Sequence, residues 1–248
     1  MIRVYTLNKD ELENIEYTDG CFSAGRLSKI DKLKRDEDKN LSRCAELLLI
    51  YAAKTAGAEF SLPMSLKEDD NKKLFFDPPL FFADKRSELF FNLSHSGDYA
   101  ACAVSDSPVG IDIEYFRPQE IFSPKRILHP KEFQTMEFIS NPREKKKYFY
   151  ECWVLKESFL KNLGIGLLVR PDNFMIREDT LIVEESDKSD AENLKLLEPR
   201  YAHAFDSGEV RGSKWKFDAG YKLAVCSQTK DKDLIAREVH AADINSVL

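Results

Sequence analysis

Three short stretches of this sequence place acidic, basic and small polar residues at spacings that could do chemistry. In Val109–Glu114 (VGIDIE), a strand would turn Asp112 and Glu114 to one side and Ile111 and Ile113 to the other, into a core. Two carboxylates on one face repel unless a cation lies between them, and hard oxygen donors suit magnesium bound together with phosphate oxygens. Gly110 would let a ligand or another backbone approach. By itself the triplet also describes an amphipathic edge strand with a solvated acidic face.

The second stretch is Trp153–Leu167 (WVLKESFLKNLGIGL). On a helix, Trp153, Glu157 and Lys161 follow one another every four residues and share a stripe, so a carboxylate and an ammonium lie beside an aromatic ring. A surface pair of this kind contributes about 0.3–0.5 kcal/mol with no function attached. The third is Phe91–Tyr99 (FNLSHSGDY), a strand ending in Ser94-His95-Ser96-Gly97. Hydroxyls, an imidazole and a flexible backbone there offer several donors to a phosphate, or simply form a polar turn. The stretch lacks the Gly-x-Ser-x-Gly elbow of a hydrolase. Lys29, Lys32, Lys34, Arg35, Arg43, Lys72 and Lys73 could neutralise a phosphate that the carboxylates alone would repel.

These groups need elements to hold them. Met1–Leu7 reads as a first strand, and Leu33–Lys54 as a helix with a charged start and an apolar stripe through Leu41, Ala45, Leu48, Leu49 and Ala52. A short strand is expected at Leu74–Phe76. The runs Leu89–Leu93, Tyr99–Val104 and Val109–Glu114, separated by turn residues, predict an antiparallel meander. A helix over about Pro130–Ile139 should stop at Asn141-Pro142, where a capping box with Glu144 starts a long helix running to Gly164. DNFMI, LIVEE and KWKFDAGYKLAVCSQ suggest a second small sheet, and Asp187–Asn193 an exposed loop. Ser96–Val104 and Asp218–Ser227 look alike, each a glycine turn feeding a Tyr-led strand, which points to two related α+β halves.

Bulk properties narrow the function. The 248 residues suffice for one large domain or two smaller ones, and 43% hydrophobic content with 17 Phe and 9 Tyr requires a folded core. A formal net charge of -6 provides no global positive field for nucleic acid or an anionic membrane, so any anion site must be local. Five scattered cysteines, with no CxxC pair, fit inert thiols in a reducing compartment. No apolar leader or membrane-spanning run is read, so a cytoplasmic protein is expected.

Taken in order, FNLSHSGDYA, VGIDIE, ILHPKEF, FYECWVLKESFLKNLGIGL, DNFMI and GYKLAVCS resemble the surfactin-type 4′-phosphopantetheinyl transferases. The resemblance implies an α+β fold of two pseudo-symmetric α/β subdomains, residues 1–115 and 116–248, with the active site in the cleft between them. It implies a monomer that moves the 4′-phosphopantetheine arm of coenzyme A to a serine of an apo acyl or peptidyl carrier protein, releasing 3′,5′-ADP. Asp112, Glu114 and Glu157 would be Mg2+ ligands, with Glu157 also the candidate base. Lys161 would stabilise or protonate the departing nucleotide, and Lys156 would help fix the phosphates. Ser94 and His95 would hold the 3′-phosphate, and Lys72 or Lys73 would reach a phosphate. Arg43 corresponds to an arginine followed by Ser in the family, whereas Cys44 follows it here. The family's Gly-Lys-Pro is Asn71-Lys72-Lys73 in this chain. Two other readings use the same residues: a module that binds coenzyme A or a carrier protein without chemistry, and a metal-dependent pyrophosphate hydrolase. A carrier surface would be acidic and helical, docking on local basic or apolar patches such as Arg143–Lys147.

Overall fold

Short apolar runs with period two become strands, and the longer runs with helical period become helices. A computed structural model of the chain describes residues 1–116, 123–166, 169–177, 180–183, 201–205, 220–229 and 233–248. The first part holds β1 (Ile2–Asn8), α1 (Ala24–Asp31), α2 (Asp36–Thr55), β2 (Leu66–Glu68), β3 (Leu74–Phe76), β4 (Phe90–Ser96), β5 (Tyr99–Ser105) and β6 (Val109–Tyr115). The rest holds α3 (Pro130–Phe138), α4 (Pro142–Leu163), β7 (Phe174–Arg177), β8 (Thr180–Val183), β9 (Tyr201–Phe205), β10 (Tyr221–Ser227), β11 (Leu234–Val239) and α5 (Ala241–Asn245). Helix α1 has no counterpart in the expectations, its eight residues being half polar with only Leu27 and Ile30 as large apolar side chains. The expected loop at Asp187–Asn193 and the residues leading into β10 lie outside the described residues.

The fold is α+β. One sheet runs β11-β1-β5-β4 and another β6-β10-β9, with β2-β3 and β7-β8 as separate hairpins. Alternation decides which side chains face which layer. Tyr5, Leu7, Cys102, Val104 and Phe91 pack with Leu47, Leu48 and Tyr51 of α2. Ile2, Val4, Ala101 and Ala103 turn the other way, onto Ile111, Ile113, Leu223 and Val225 of the second sheet. Strand β5 is buried at all seven positions because it is covered on both faces. Beyond the second sheet lies α4, whose Phe159 and Leu160 pack with Phe174, Ala202 and Cys226. The order of layers is therefore α2, first sheet, second sheet, α4.

The expected meander is half right. Strands β4 and β5 pair antiparallel, Phe90 opposite Ser105 through Ser96 opposite Tyr99, but β6 leaves them and pairs with β10. The edge of β4 nearest β6 is joined to it by side chains. Asn92 Oδ1 accepts from the Ile111 N–H at 2.9 Å, Ser94 Oγ from Ile113 at 3.3 Å, and Ser96 Oγ from Tyr115 at 3.1 Å. The turn signal before Val109 was read correctly, while the polar alternation that replaces the backbone ladder was not. Sheet membership also crosses the 115/116 boundary, since β6 pairs with β10 and β11 returns to pair parallel with β1.

The long helix is bounded as expected. Asn141 Oδ1 accepts from the Arg143 and Glu144 N–H groups, Pro142 takes the first position, and Gly164 ends the helix in the left-handed region at φ 71°. The Asn141 carboxamide caps without the reciprocal Glu144 contact that was expected, whereas α3 does carry a full capping box between His129 and Glu132. All five cysteines are buried and unbridged. Among the described residues no helix is long and apolar enough to cross a membrane.

Gly110 is where the second sheet and α4 meet most closely. A Cβ there would lie 2.0 Å from the Ser158 carbonyl oxygen and 2.3 Å from the Asn162 N atom. The backbone that approaches this glycine is thus the helix itself. Gly110→Ala is expected to push α4 off β6 and lower stability by about 1–3 kcal/mol, the usual range for overpacking, measured by urea denaturation.

Candidate functional site

The side chains that join β4 to β6 also aim the two carboxylates. The Ser94 hydroxyl donates to Asp112 Oδ1 at 2.9 Å, and the Ser96 hydroxyl donates to Glu114 Oε2 at 2.9 Å. Asp112 and Glu114 share the face of β6 opposite Ile111 and Ile113, as their spacing predicts, and that face is turned toward α4.

Helix α4 brings the partners. Lys161 Nζ donates to Asp112 Oδ1 at 2.7 Å and to Ser94 Oγ at 2.9 Å. Ser94, 7% exposed, thereby uses its one donor and two acceptor sites on Asp112, Ile113 and Lys161. One turn before Glu157, Trp153 directs Nε1 to Glu114 Oε1 at 3.4 Å, a long contact. Lys222, which lies opposite Glu114 on β10, donates to Glu151 Oε2 of α4 at 3.0 Å.

Glu157 is close enough to this group to feel it. Burial pushes its carboxyl up from 4.5 to about 7, and the Asp112 charge pushes it in the same direction, with a smaller push from Glu114. The Lys161 ammonium pulls against them. Asp112 Oδ2 is buried and has no hydrogen-bond partner among the described residues. Asp112, Glu114 and Glu157 each offer oxygen donors of the kind that suits a hard divalent cation. In this arrangement Lys161 occupies Asp112 and Ser96 occupies Glu114. Among the described residues no three His, Cys, Asp or Glu side chains converge as a ligand set.

The basic residues divide. Lys73 Nζ donates to the Asn162 carbonyl oxygen near the end of α4 at 2.7 Å, and burial lowers its pKa to about 8. Lys72 is exposed and lies 4.0 Å from Glu68. Both line a 230 Å³ pocket with Lys161, Asn92, Leu93 and Gly164. Arg43 is half-buried on α2, with no side-chain hydrogen bond or ion pair among the described residues.

Ser94 and His95 turn to opposite faces of β4, because neighbouring residues of a strand face opposite ways. Ser94 points to β6, while exposed His95 lies near Asp38 of α2. Desolvation by the surrounding protein, and then the charge of Lys161, lowers the His95 pKa. Lys156 does not reach the carboxylate group at all. It is fully buried, ion-paired to Glu132 at 2.7 Å and donating to the Pro171 and Phe174 carbonyl oxygens. Its place one residue before Glu157 puts it about 100° round the helix, away from the cluster.

Sequence reasoning missed Asn92 and Lys222 as members of this site and named Ser96 only as a hydroxyl of a phosphate-binding or polar turn. Asn92 and Ser96 carried a signal, polar side chains at every second residue of β4 on either side of Ser94. Lys222 carried none, since its place depends on the register of β10 against β6.

A carboxyl whose pKa is higher folded than unfolded contributes stability that is complete below its unfolded value and lost as pH rises through its folded value. For Glu157 the loss falls between about pH 4.5 and 7. In metal-free buffer, Glu157→Gln is expected to raise the thermal midpoint at pH 8 and to match the wild type at pH 4, read by scanning calorimetry.

Comparison with known proteins points to the same stretch of the chain. Residues 108–226, which contain the Asp112, Glu157 and Lys161 cluster, match the family model described as ACPS, the 4′-phosphopantetheinyl transferase superfamily. A 4′-phosphopantetheinyl transferase of Bacillus subtilis is 34% identical over 144 residues, covering 58% of this chain and 57% of the relative. The 4′-phosphopantetheinyl transferase Sfp of Bacillus subtilis (strain 168) is 32% identical over the same length, with coverage of 58% and 57%. The psf-1 transferase of Bacillus pumilus is 41% identical over 88 residues, or 35% of this chain and 37% of the relative. The chain thus spans somewhat more than half the length of the first two curated relatives. Through residues 108–226, the chain is similar to the 4′-phosphopantetheinyl transferase superfamily.

Proposed function

We propose that this protein is a holo-carrier-protein synthase, transferring the 4′-phosphopantetheine arm of coenzyme A to a serine of an acyl or peptidyl carrier protein. The observation that carries this is the meeting of Asp112, Lys161 and Ser94 from three elements, with Glu157 held near neutrality beside them. In the reaction the carrier serine oxygen forms a bond to the β-phosphorus of coenzyme A, the bond from that phosphorus to the bridging oxygen breaks, and 3′,5′-ADP leaves. Glu157 takes the serine proton. A base with a pKa of about 7 is well matched to this work at neutral pH.

Lys161 stands one turn from Glu157 and places a positive charge where the departing diphosphate oxygen gains negative charge. Lys73, or Lys72 beside it, extends this positive wall along the pocket they share. His95 and Arg43 remain our candidates for the outlying phosphate of the nucleotide. Asp112, Glu114 and Glu157 would hold Mg2+, which when bound offsets the charge of the diphosphate. Asp112 would then exchange its Lys161 contact for the ion, a change that its unpaired Oδ2 favours. We place the site in a cleft between two pseudo-symmetric subdomains of a cytoplasmic monomer; the likeness between the Tyr99 and Tyr221 strands supports that arrangement.

The test is mass spectrometry of an apo carrier protein incubated with coenzyme A, Mg2+ and this protein. Gain of the arm is expected, and an absence of gain across several carriers would overturn the proposal. Omitting the carrier separates a hydrolase, which would still cleave the diphosphate. Asp112→Asn and Glu157→Gln are each expected to lower kcat by about 100-fold or more while preserving the circular dichroism spectrum. Chelation of divalent ions is expected to stop transfer by the wild type.

A further inference from the structure

Lys156 is an unusual side chain to find fully buried, and its surroundings account for all of it. An ammonium has three donors. Here the three acceptors come from two segments: Glu132 Oε2 of α3 at 2.7 Å, and, in the stretch leading into β7, the Pro171 carbonyl oxygen at 2.7 Å and the Phe174 carbonyl oxygen. The ammonium also lies 5.1 Å from the centre of the Phe174 ring. No donor remains for a phosphate.

Glu132 is committed as well. Its Oε2 accepts from the His129 N–H at 2.8 Å, completing the capping box that starts α3. The contact therefore ties the first turn of α3 to the middle of α4 and the entry of β7. Burial lowers the Lys156 pKa and raises that of Glu132, and each is partly restored by its partner's charge.

The position of Lys156 on α4 gives this knot its consequence. Ser158 and Asn162 seat the helix on β6, where their backbones press on Gly110. At about 100° per residue, Lys156 lies roughly opposite Ser158, and Glu157 lies between them on the flank with Lys161. The helix is gripped from its back and its front, and the Glu157 and Lys161 stripe is aimed by both grips. A roll of α4 would carry Glu157 and Lys161 away from Asp112 and Ser94 together.

We infer that Lys156 is a positioning residue: its buried contacts with Glu132, Pro171 and Phe174 set the rotation of α4 and so aim Glu157 and Lys161 at β6. This rests on the transferase reading above. It assigns to Glu132, remote from the reacting groups, a share in the rate of the reaction.

The experiment compares Glu132→Gln and Lys156→Met with the wild-type chain, using Mg2+, coenzyme A and an apo carrier protein. Single-turnover transfer is measured with enzyme in excess, so that a smaller folded fraction lowers the enzyme concentration without changing the saturated rate constant. Calorimetric titration with 3′,5′-ADP measures phosphate binding separately. Positioning predicts a saturated rate constant at least tenfold lower in Glu132→Gln, with the KM for coenzyme A and the Kd for 3′,5′-ADP within twofold of wild type. Lys156→Met should lose at least as much rate and likewise keep its Kd. An unchanged rate constant in Glu132→Gln would overturn the inference, even where Lys156→Met fails to fold. A tenfold weaker Kd in Lys156→Met with Glu132→Gln unaltered would also overturn it, by making Lys156 a phosphate contact. Absence of transfer by the wild type would count against the transferase reading alone, and the titration would still report whether Lys156 touches phosphate.

Discussion

The two main sheets are joined beside the site by side chains acting in place of a backbone ladder. Asn92, Ser94 and Ser96 alternate along β4 and accept the outward N–H groups of Ile111, Ile113 and Tyr115. A buried N–H left without an acceptor costs about 1–3 kcal/mol, so these short polar side chains are needed where the strands stop pairing directly. The same hydroxyls of Ser94 and Ser96 then spend their protons on Asp112 and Glu114. One set of contacts closes the sheet junction and orients the carboxylates, which makes the site a by-product of how the layers meet.

The opposite wall is α4, and its placement depends on an equally local constraint. Gly110 has no side chain, which lets the helix backbone reach the strand at the point where Lys161 can touch Asp112. Behind the helix, a buried ammonium with every donor used keeps α3 and β7 fastened to it. Between these fixtures the protein holds like charges that would separate if free. Burial, and then the charges of Asp112 and Glu114, raise the pKa of Glu157, and one oxygen of Asp112 has no hydrogen-bond partner among the described residues. Such local disadvantage at a site is sustained by the packing around it. A cation between the carboxylates would relieve it.

Within this framework the two lysines of the KES and FLK segments serve different ends, although they lie on one helix and each pairs with a carboxylate. Lys161 is 29% exposed on its side chain and faces a pocket, so its charge is available to a ligand. Lys156 is 1% exposed on its side chain and is consumed by the fold. Burial, rather than residue type or motif membership, separates a group that can act on a substrate from one that can only hold the helix.

Much of this was legible in the chain itself. Period-two and helical patterns located β4, β5, β6 and α4, while Asn141-Pro142 and Gly164 marked the ends of the helix. The same periods placed Asp112 with Glu114 and Glu157 with Lys161, because the spacing of side chains along one element is a property of local backbone geometry. The motif order also carried the resemblance to the transferases that residues 108–226 match. Other features were decided only by contacts between distant segments: the departure of β6 from the meander to pair with β10, the position of Lys222, the separation of Ser94 from His95 across a strand, and the burial of Lys156 against Glu132. A sequence states which residues share a face; what that face meets depends on the packing of elements far apart along the chain, and that packing determines which charged groups remain free to do chemistry.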